Sequence, residues 1–256
     1  MDNKCMNEDG SGFKNCWLAY FDILGFRQFV ETASQPWELL LVRTRHERAL
    51  KALQAISKNM DKLDYAHFSD TFIIFSSDDS KQSYIVIQEA AKYFIEKCIT
   101  IKVPIRGAIS LGLLTDVFNK EEKILIGPAL IDAYDYGENQ EWIGLILTKK
   151  ASNKRKELNV NDDYTLEDAD FMKDDFRKKH KIEKLYAYNL SRGRHNRESH
   201  LLPSLKDMKQ QAINLIKKSA TEEQREKYQK IIKMYERAEE HINKHYKHID
   251  NAGSSL

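Results

Sequence analysis

Two acidic residues stand where acids are costly. Asp22 follows the apolar run Trp17-Leu18-Ala19-Tyr20-Phe21 and precedes Ile23-Leu24-Gly25-Phe26. Asp70 sits between Tyr65-Ala66-His67-Phe68-Ser69 and Thr71-Phe72-Ile73-Ile74-Phe75. Apolar runs of this kind, bounded by turn residues, predict buried strands. A carboxylate placed there costs free energy unless it is paired. Two carboxylates about 5 Å apart repel by roughly 3 kcal/mol at an effective dielectric of about 20. A shared proton relieves that repulsion, and so does a metal ion. Hard oxygen ligands beside an open turn favour Mg²⁺ or Mn²⁺ carrying a phosphate-bearing substrate. Gly25 permits a tight turn with exposed backbone N–H groups. The helical stretch Arg27 to Ala33 behind it offers a helix N-terminus to phosphate oxygens. The pattern points to nucleoside triphosphate chemistry with two divalent cations. For either Asp taken singly, a strand-end cap remains the plain alternative.

The elements that must bring these residues together follow from periodicity. Residues 16–23 predict a first strand. Pro36 opens a helix to about Lys58, carrying Leu40, Leu41, Ala49, Leu50, Leu53 and Ile56 at helical spacing. Residues 63–68 and 71–76 predict a hairpin turning at Ser69-Asp70. Ser77 to Ser80 supply cap candidates for a helix over about 80–100. Ile105 to Gly112 predicts a long strand, 119–123 a loop, 124–127 a short strand, 128–136 a helix and 142–147 another strand. That β-α-α-β-β-α-β-β-α-β order gives an α+β, ferredoxin-like plan, with helices on one face of an antiparallel sheet. Beyond it, 149–156 predicts a charged helix, 157–180 a mixed segment and 184–190 one more strand. Ser191 to Ser199 reads as a basic loop. Two helices, about 203–219 and 221–248, end the reading, and the apolar stripe of the second needs a partner in the core or in a second subunit.

Composition narrows the field. A formal net charge of +2 does not require a nucleic-acid partner. No apolar run of 18 residues occurs, so no membrane span is expected. Residues 1–15 are polar, predict a flexible terminus and do not resemble a signal peptide. Cys5, Cys16 and Cys98 are far apart with no CxxC pair, which fits a reducing, cytoplasmic setting. His241, His245 and His248 lie at helical spacing and read as a solvated tail rather than a metal site. His67 reads as a surface or interface histidine.

Residues 17–148 resemble the catalytic domain of class III nucleotidyl cyclases. The resemblance is carried by Phe21-Asp22-Ile23-Leu24-Gly25-Phe26, by Asp70 in the hairpin, by Ile105-Arg106-Gly107-Ala108-Ile109-Ser110-Leu111-Gly112 and by Gly127 opening a helix. It implies a catalytic domain over 16–148 and a mostly helical extension over 149–256. It implies that Asp22 and Asp70 bind two divalent cations, Mn²⁺ or Mg²⁺, with the Ile23 carbonyl as a further ligand. Phe21, Gly25 and Phe26 are implied in substrate binding, the turn holding phosphates through its backbone. It also implies a head-to-tail homodimer with active sites at the subunit interface.

The departures bear on substrate. The positions of the family's purine readers hold Ala66 and Ile124, and those of its transition-state Asn and Arg fall near Ile131 and Asp135. Ser69 replaces the usual glycine before the second Asp. An apolar pocket edge cannot discriminate a purine by hydrogen bonds. The chain looks most like the pyrimidine cyclases of bacterial Pycsar antiphage systems. That likeness implies UTP converted to 3′,5′-cyclic UMP and pyrophosphate, with the product activating a separate effector that the enzyme does not touch. Cyclic CMP from CTP, or a non-catalytic sensing or dimerisation module on the same fold, are the alternatives. Tyr65 is the candidate for stacking on the base, with a half-buried strand tyrosine as the plain reading. Arg106 is the candidate catalytic cation for phosphate, with an ion pair on the sheet face as the plain reading.

Overall fold

The first strand, β1, spans Phe13–Ile23 and alternates between two buried faces. Trp17, Ala19, Phe21 and Ile23 face one core; Cys16, Leu18 and Tyr20 face another. A strand buried on both faces reads as a nearly continuous apolar run, which is what the sequence shows here. The computed structural model describes residues 13–33, 35–60, 63–118, 123–188, 190, 201–218 and 222–253. The elements after β1 are α1 (Phe26–Thr32), α2 (Pro36–Asn59), β2 (Leu63–Phe68), β3 (Thr71–Ser76) and α3 (Lys81–Thr100). Then come β4 (Ile105–Phe118), β5 (Lys123–Ile126), α4 (Pro128–Glu138), β6 (Leu145–Leu147), α5 (Lys149–Leu158) and β7 (Tyr164–Asp168). A 3₁₀ turn, α6 (Asp174–His180), β8 (Lys184–Tyr188), α7 (Leu201–Lys218) and α8 (Glu222–Gly253) follow.

Local chemistry starts the helices. Pro36 occupies the first turn of α2, and Glu38 reaches back to accept from the Gln35 N–H at 3.1 Å, closing a capping box. Ser80 caps α3, its hydroxyl accepting from the Ser83 N–H at 3.2 Å. Pro128 likewise starts α4.

The strands form one sheet in the order β2-β3-β1-β4-β6-β8-β7, with β5 folded back on β4. The pairs β1–β3, β1–β4 and β2–β3 are antiparallel, and β4–β6 is parallel. Helices α2, α3, α7 and α8 share one core with the Trp17 face of β1, while Ala129 and Ala133 of α4 pack on the Leu18 face. The α+β architecture is the expected one, but the sheet is mixed rather than wholly antiparallel and carries helices on both faces rather than one, because α4 packs opposite to α2 and α3. The sheet runs on past residue 148, however, since β8 pairs with β6 and β7 with β8. The segment after 148 is therefore not only helical: α5, β7, α6 and β8 widen the sheet, and α7 and α8 close its far core. The apolar stripe of α8 (Ile231, Tyr235, Ala238, Ile242) finds its partner in that core.

Several expectations shift. The strand expected over 142–147 is shorter, because Trp142 and Ile143 lie in a buried bend before β6. Within 157–180, β7 forms an edge strand. His241 is not in a solvated tail: it is 7% exposed, 3.2 Å from the Tyr188 carbonyl, and its ring packs edge-on against Trp142. The basic loop 191–199, and the side chains of His245 and His248, lie outside the described residues. Cys16 and Cys98 are buried free thiols. Among the described residues no helix is long and apolar enough to cross a membrane.

Candidate active site

The antiparallel register sets the site. Asp22, one residue from the end of β1, lies opposite Thr71 of β3 on one side and Arg106 of β4 on the other. Asp70 precedes Thr71 in the hairpin turn, and its carbonyl accepts from the Ile23 N–H at 3.2 Å. The hairpin thereby pins the Asp70 turn against the end of β1. On the other flank the Leu24 N–H donates to the Pro104 carbonyl at 2.9 Å. The chain then turns at Gly25, whose φ of 72° is the left-handed region open to glycine, and enters α1 at Phe26.

Arg106 is committed on all sides. Its Nε and Nη2 donate to Asp22 Oδ2 at 3.2 and 3.0 Å, and Nη2 also donates to Glu138 Oε2 at 2.6 Å. Its Nη1 donates to the carbonyls of Glu138 and Gln140, both at 3.0 Å. The guanidinium is thus an ion pair on the sheet face in this structure, shared between two carboxylates, with only 11% of its side chain exposed. Glu138 is set in place by Tyr20, whose hydroxyl donates to Oε1 at 3.1 Å, and Lys173 Nζ donates to the Glu138 carbonyl at 2.7 Å. This approach of α4 depends on Gly137: a Cβ there would lie 2.7 Å from the Tyr20 ring. Gln140 anchors the following loop by donating to the Gly107 carbonyl at 2.9 Å and accepting from the Trp142 indole at 2.8 Å.

Electrostatics follow from this crowding. Burial pushes the Asp22 carboxyl up, to about 7; the Arg106 guanidinium pulls it back, and the charges of Glu138 and Asp70 push it up again. Burial, and then the charge of Asp22, push the Tyr20 phenol far above its ordinary value, so it stays a donor to Glu138. Two carboxylates, Asp22 and Glu138, therefore share one guanidinium, and the charge of a third, Asp70, adds to the crowding at Asp22. Among the described residues no group of three or more His, Cys, Asp and Glu side chains forms a metal cage. The donor set is instead a pair of hard carboxylates in mutual electrostatic reach, Asp22 and Asp70, which is chemistry that suits Mg²⁺ or Mn²⁺.

Not every expected residue joins the site. Phe21 is fully buried and packs edge to face on Phe94, with ring centroids 4.9 Å apart. Its side chain is core, because the residue next to Asp22 on a strand must point to the opposite face. Tyr65 also lies on that opposite face: it stands across from Ile74 and packs against the core of Trp17 and Phe21. It is the half-buried strand tyrosine of its plain reading. Gly25 and Phe26 do follow the site directly, with Phe26 half-buried against the core. Two residues that the sequence reading passed over do reach the site side. One is Glu138. The other is Phe68, beside Ser69-Asp70 at the hairpin tip, on the Asp22 face and 82% exposed. A large exposed aromatic next to a catalytic-type Asp was the available signal.

No protein-family model and no curated protein matches the chain. Solved structures do. The dimeric guanylyl cyclase domain of the RhoGC fusion protein from the aquatic fungus Blastocladiella emersonii superposes with a TM-score of 0.50 at 13% identity, covering 68% of this chain and 96% of that one. The guanylate cyclase domain of RhGC from Catenaria anguillulae, in complex with GTP, gives 0.51 at 13% identity over 68% and 94%. The guanylyl cyclase Cya2 gives 0.50 at 8% identity over 73% and 97%. Identities this low speak to architecture alone. The chain has the fold of class III nucleotidyl cyclase catalytic domains.

Proposed function

We propose that this protein is a nucleotidyl cyclase acting on a pyrimidine nucleoside triphosphate, forming 3′,5′-cyclic UMP and pyrophosphate from UTP. The observation that carries the reading is the register of Asp22 against Thr71 and Arg106, which sets the two acids of the sequence motif at one sheet end, on a cyclase fold. Asp22, Asp70 and the Ile23 carbonyl would hold two divalent cations, Mn²⁺ or Mg²⁺, which neutralise the triphosphate and acidify the ribose 3′-hydroxyl. That oxygen attacks the α-phosphorus, the bond to the β-phosphate oxygen breaks, and pyrophosphate leaves. The backbone of the Gly25-Phe26 turn cradles phosphate oxygens. Arg106 neutralises charge beside Asp22 and stands within a side chain's reach of the same space. Phe68 offers an exposed ring on which a base can stack.

Pyrimidine preference rests on the residues that stand at the positions of the family's two purine readers. Ala66 is small and partly buried, and Ile124 is apolar and 44% exposed, so neither position can read a purine edge by hydrogen bonds. The likeness to Pycsar cyclases supports a role in antiphage defence, with the cyclic nucleotide activating a separate effector. CTP as substrate, giving cyclic CMP, is the second reading from the same residues.

A homodimer with sites at the subunit interface fits the exposed apolar surface. Ile131 and Tyr134 are 62% and 50% exposed on the outer side of α4. Leu113, Ile124 and Ile126 are exposed together on one face of the β4–β5 arm. Exposed apolar clusters of this kind, one on each face of the sheet, mark interaction sites.

The test incubates the protein with each of the four ribonucleoside triphosphates and Mn²⁺ and separates the products by HPLC. Cyclic UMP with equimolar pyrophosphate is expected from wild type. Asp22→Asn and Asp70→Asn are expected to lose at least about 100-fold in rate, a loss on the scale of one electrostatic group in a transition state. No product from any nucleotide would make the protein a non-catalytic module.

A further inference from the structure

A buried guanidinium that already satisfies Asp22 is an obstacle to any cation that needs Asp22. Releasing that carboxylate would strand Arg106 unless another group holds it. The structure shows the other group. Three of the five Arg106 hydrogen bonds run to the end of α4 and the loop after it: to the Glu138 carboxylate, the Glu138 carbonyl and the Gln140 carbonyl. The Glu138 contact, at 2.6 Å, is shorter than either contact to Asp22. Tyr20 and Lys173 hold Glu138 from its other sides, so it cannot simply follow the guanidinium.

We propose that Glu138 is a positioning residue: it tethers Arg106 so that Asp22 can be given up to a divalent cation without leaving the arginine unpaired. The tether acts through Arg106, not by touching substrate. It rests on the cyclase reading of the same site, in that Asp22 is taken as a cation ligand. Without Glu138, Asp22 becomes the sole carboxylate of the guanidinium, and Arg106 competes fully with the metal.

The experiment is a double-mutant cycle read by direct Mn²⁺ binding, using electron paramagnetic resonance of the free ion and no nucleotide. The proteins are wild type, Arg106→Met, Glu138→Gln and the double variant, each checked by thermal melting. Arg106→Gln replaces Arg106→Met if the latter does not fold. Removing Arg106 should tighten Mn²⁺ binding about fivefold more in the Glu138→Gln background than in wild type, since residues in one ion-pair network are non-additive. Equal effects in the two backgrounds would mean that Glu138 contributes bulk charge only, and would overturn the tether while leaving the cyclase reading intact. A Glu138→Gln variant with a lowered melting temperature and unchanged Mn²⁺ affinity would overturn it too, as a purely structural residue. Non-additive binding in a protein that makes no cyclic product would sustain the tether and remove the catalytic reading. Wild type that binds no Mn²⁺ would remove both.

Discussion

Arg106 spends every donor it has, and that commitment defines the site at the scale of residues. Its position opposite Asp22 follows from register, which no local pattern specifies. The acids themselves were legible, since an Asp inside or between apolar strands is conspicuous. The roles expected of Phe21 and Tyr65 equate closeness in sequence with closeness in space. Period-two alternation puts both on the face away from Asp22. Glu138 was not legible, because its pairing depends on how closely α4 can approach Tyr20 over Gly137. Ser69 offers a test at this scale. It holds a φ of 52° in the turn before Asp70, a conformation that side chains with a branched Cβ adopt poorly. Ser69→Val should cost about 1–2 kcal/mol in urea denaturation, while Ser69→Gly should cost nothing or stabilise slightly.

Elements were more legible than contacts. The hairpin of β2 and β3 and the helices α2, α3, α7 and α8 follow from apolar spacing and caps, and their observed bounds lie within a few residues of the expected ones. The edge strand β7 escaped because its pattern is inverted: Leu166 is 53% exposed while Glu167 is 7% exposed. A short edge strand with an outward Leu and an inward Glu gives no clean alternation. The extension after 148 is part of the molecule's core rather than an appendage, since Leu201, Leu205, Met208 and Ile242 are buried with residues of β1 and α3. Leu205→Ala should therefore destabilise the whole molecule by about 3 kcal/mol, as core Leu truncations do, and in a single cooperative transition by thermal or urea melting. A separate early transition would mark α7 and α8 as an independent unit.

At the scale of the whole molecule, α2, α3, α5, α7 and α8 pack on the Trp17 face of the sheet, while α4 packs on the other face over β1 and β4 and Phe176 of α6 beside β6 and β8. The site opens on the α4 side, where Ile131 and Tyr134 are exposed. If a second copy covers them, Ile131→Glu should shift the protein to monomer in analytical ultracentrifugation. Activity should fall at least about tenfold and the melting temperature should stay within a few degrees, because a buried charge opposes association while an exposed one barely affects the fold. The central claim is narrower than dimerisation or substrate choice: Asp22 and Asp70 jointly hold divalent cation. Anomalous diffraction from crystals grown with Mn²⁺ and a non-hydrolysable UTP analogue tests it most directly. The account predicts a manganese peak within bonding distance of carboxylate oxygens from both residues, with Arg106 withdrawn from Asp22 and still held by Glu138. Ordered nucleotide with no manganese between the two acids, and Arg106 still paired to Asp22, would contradict it.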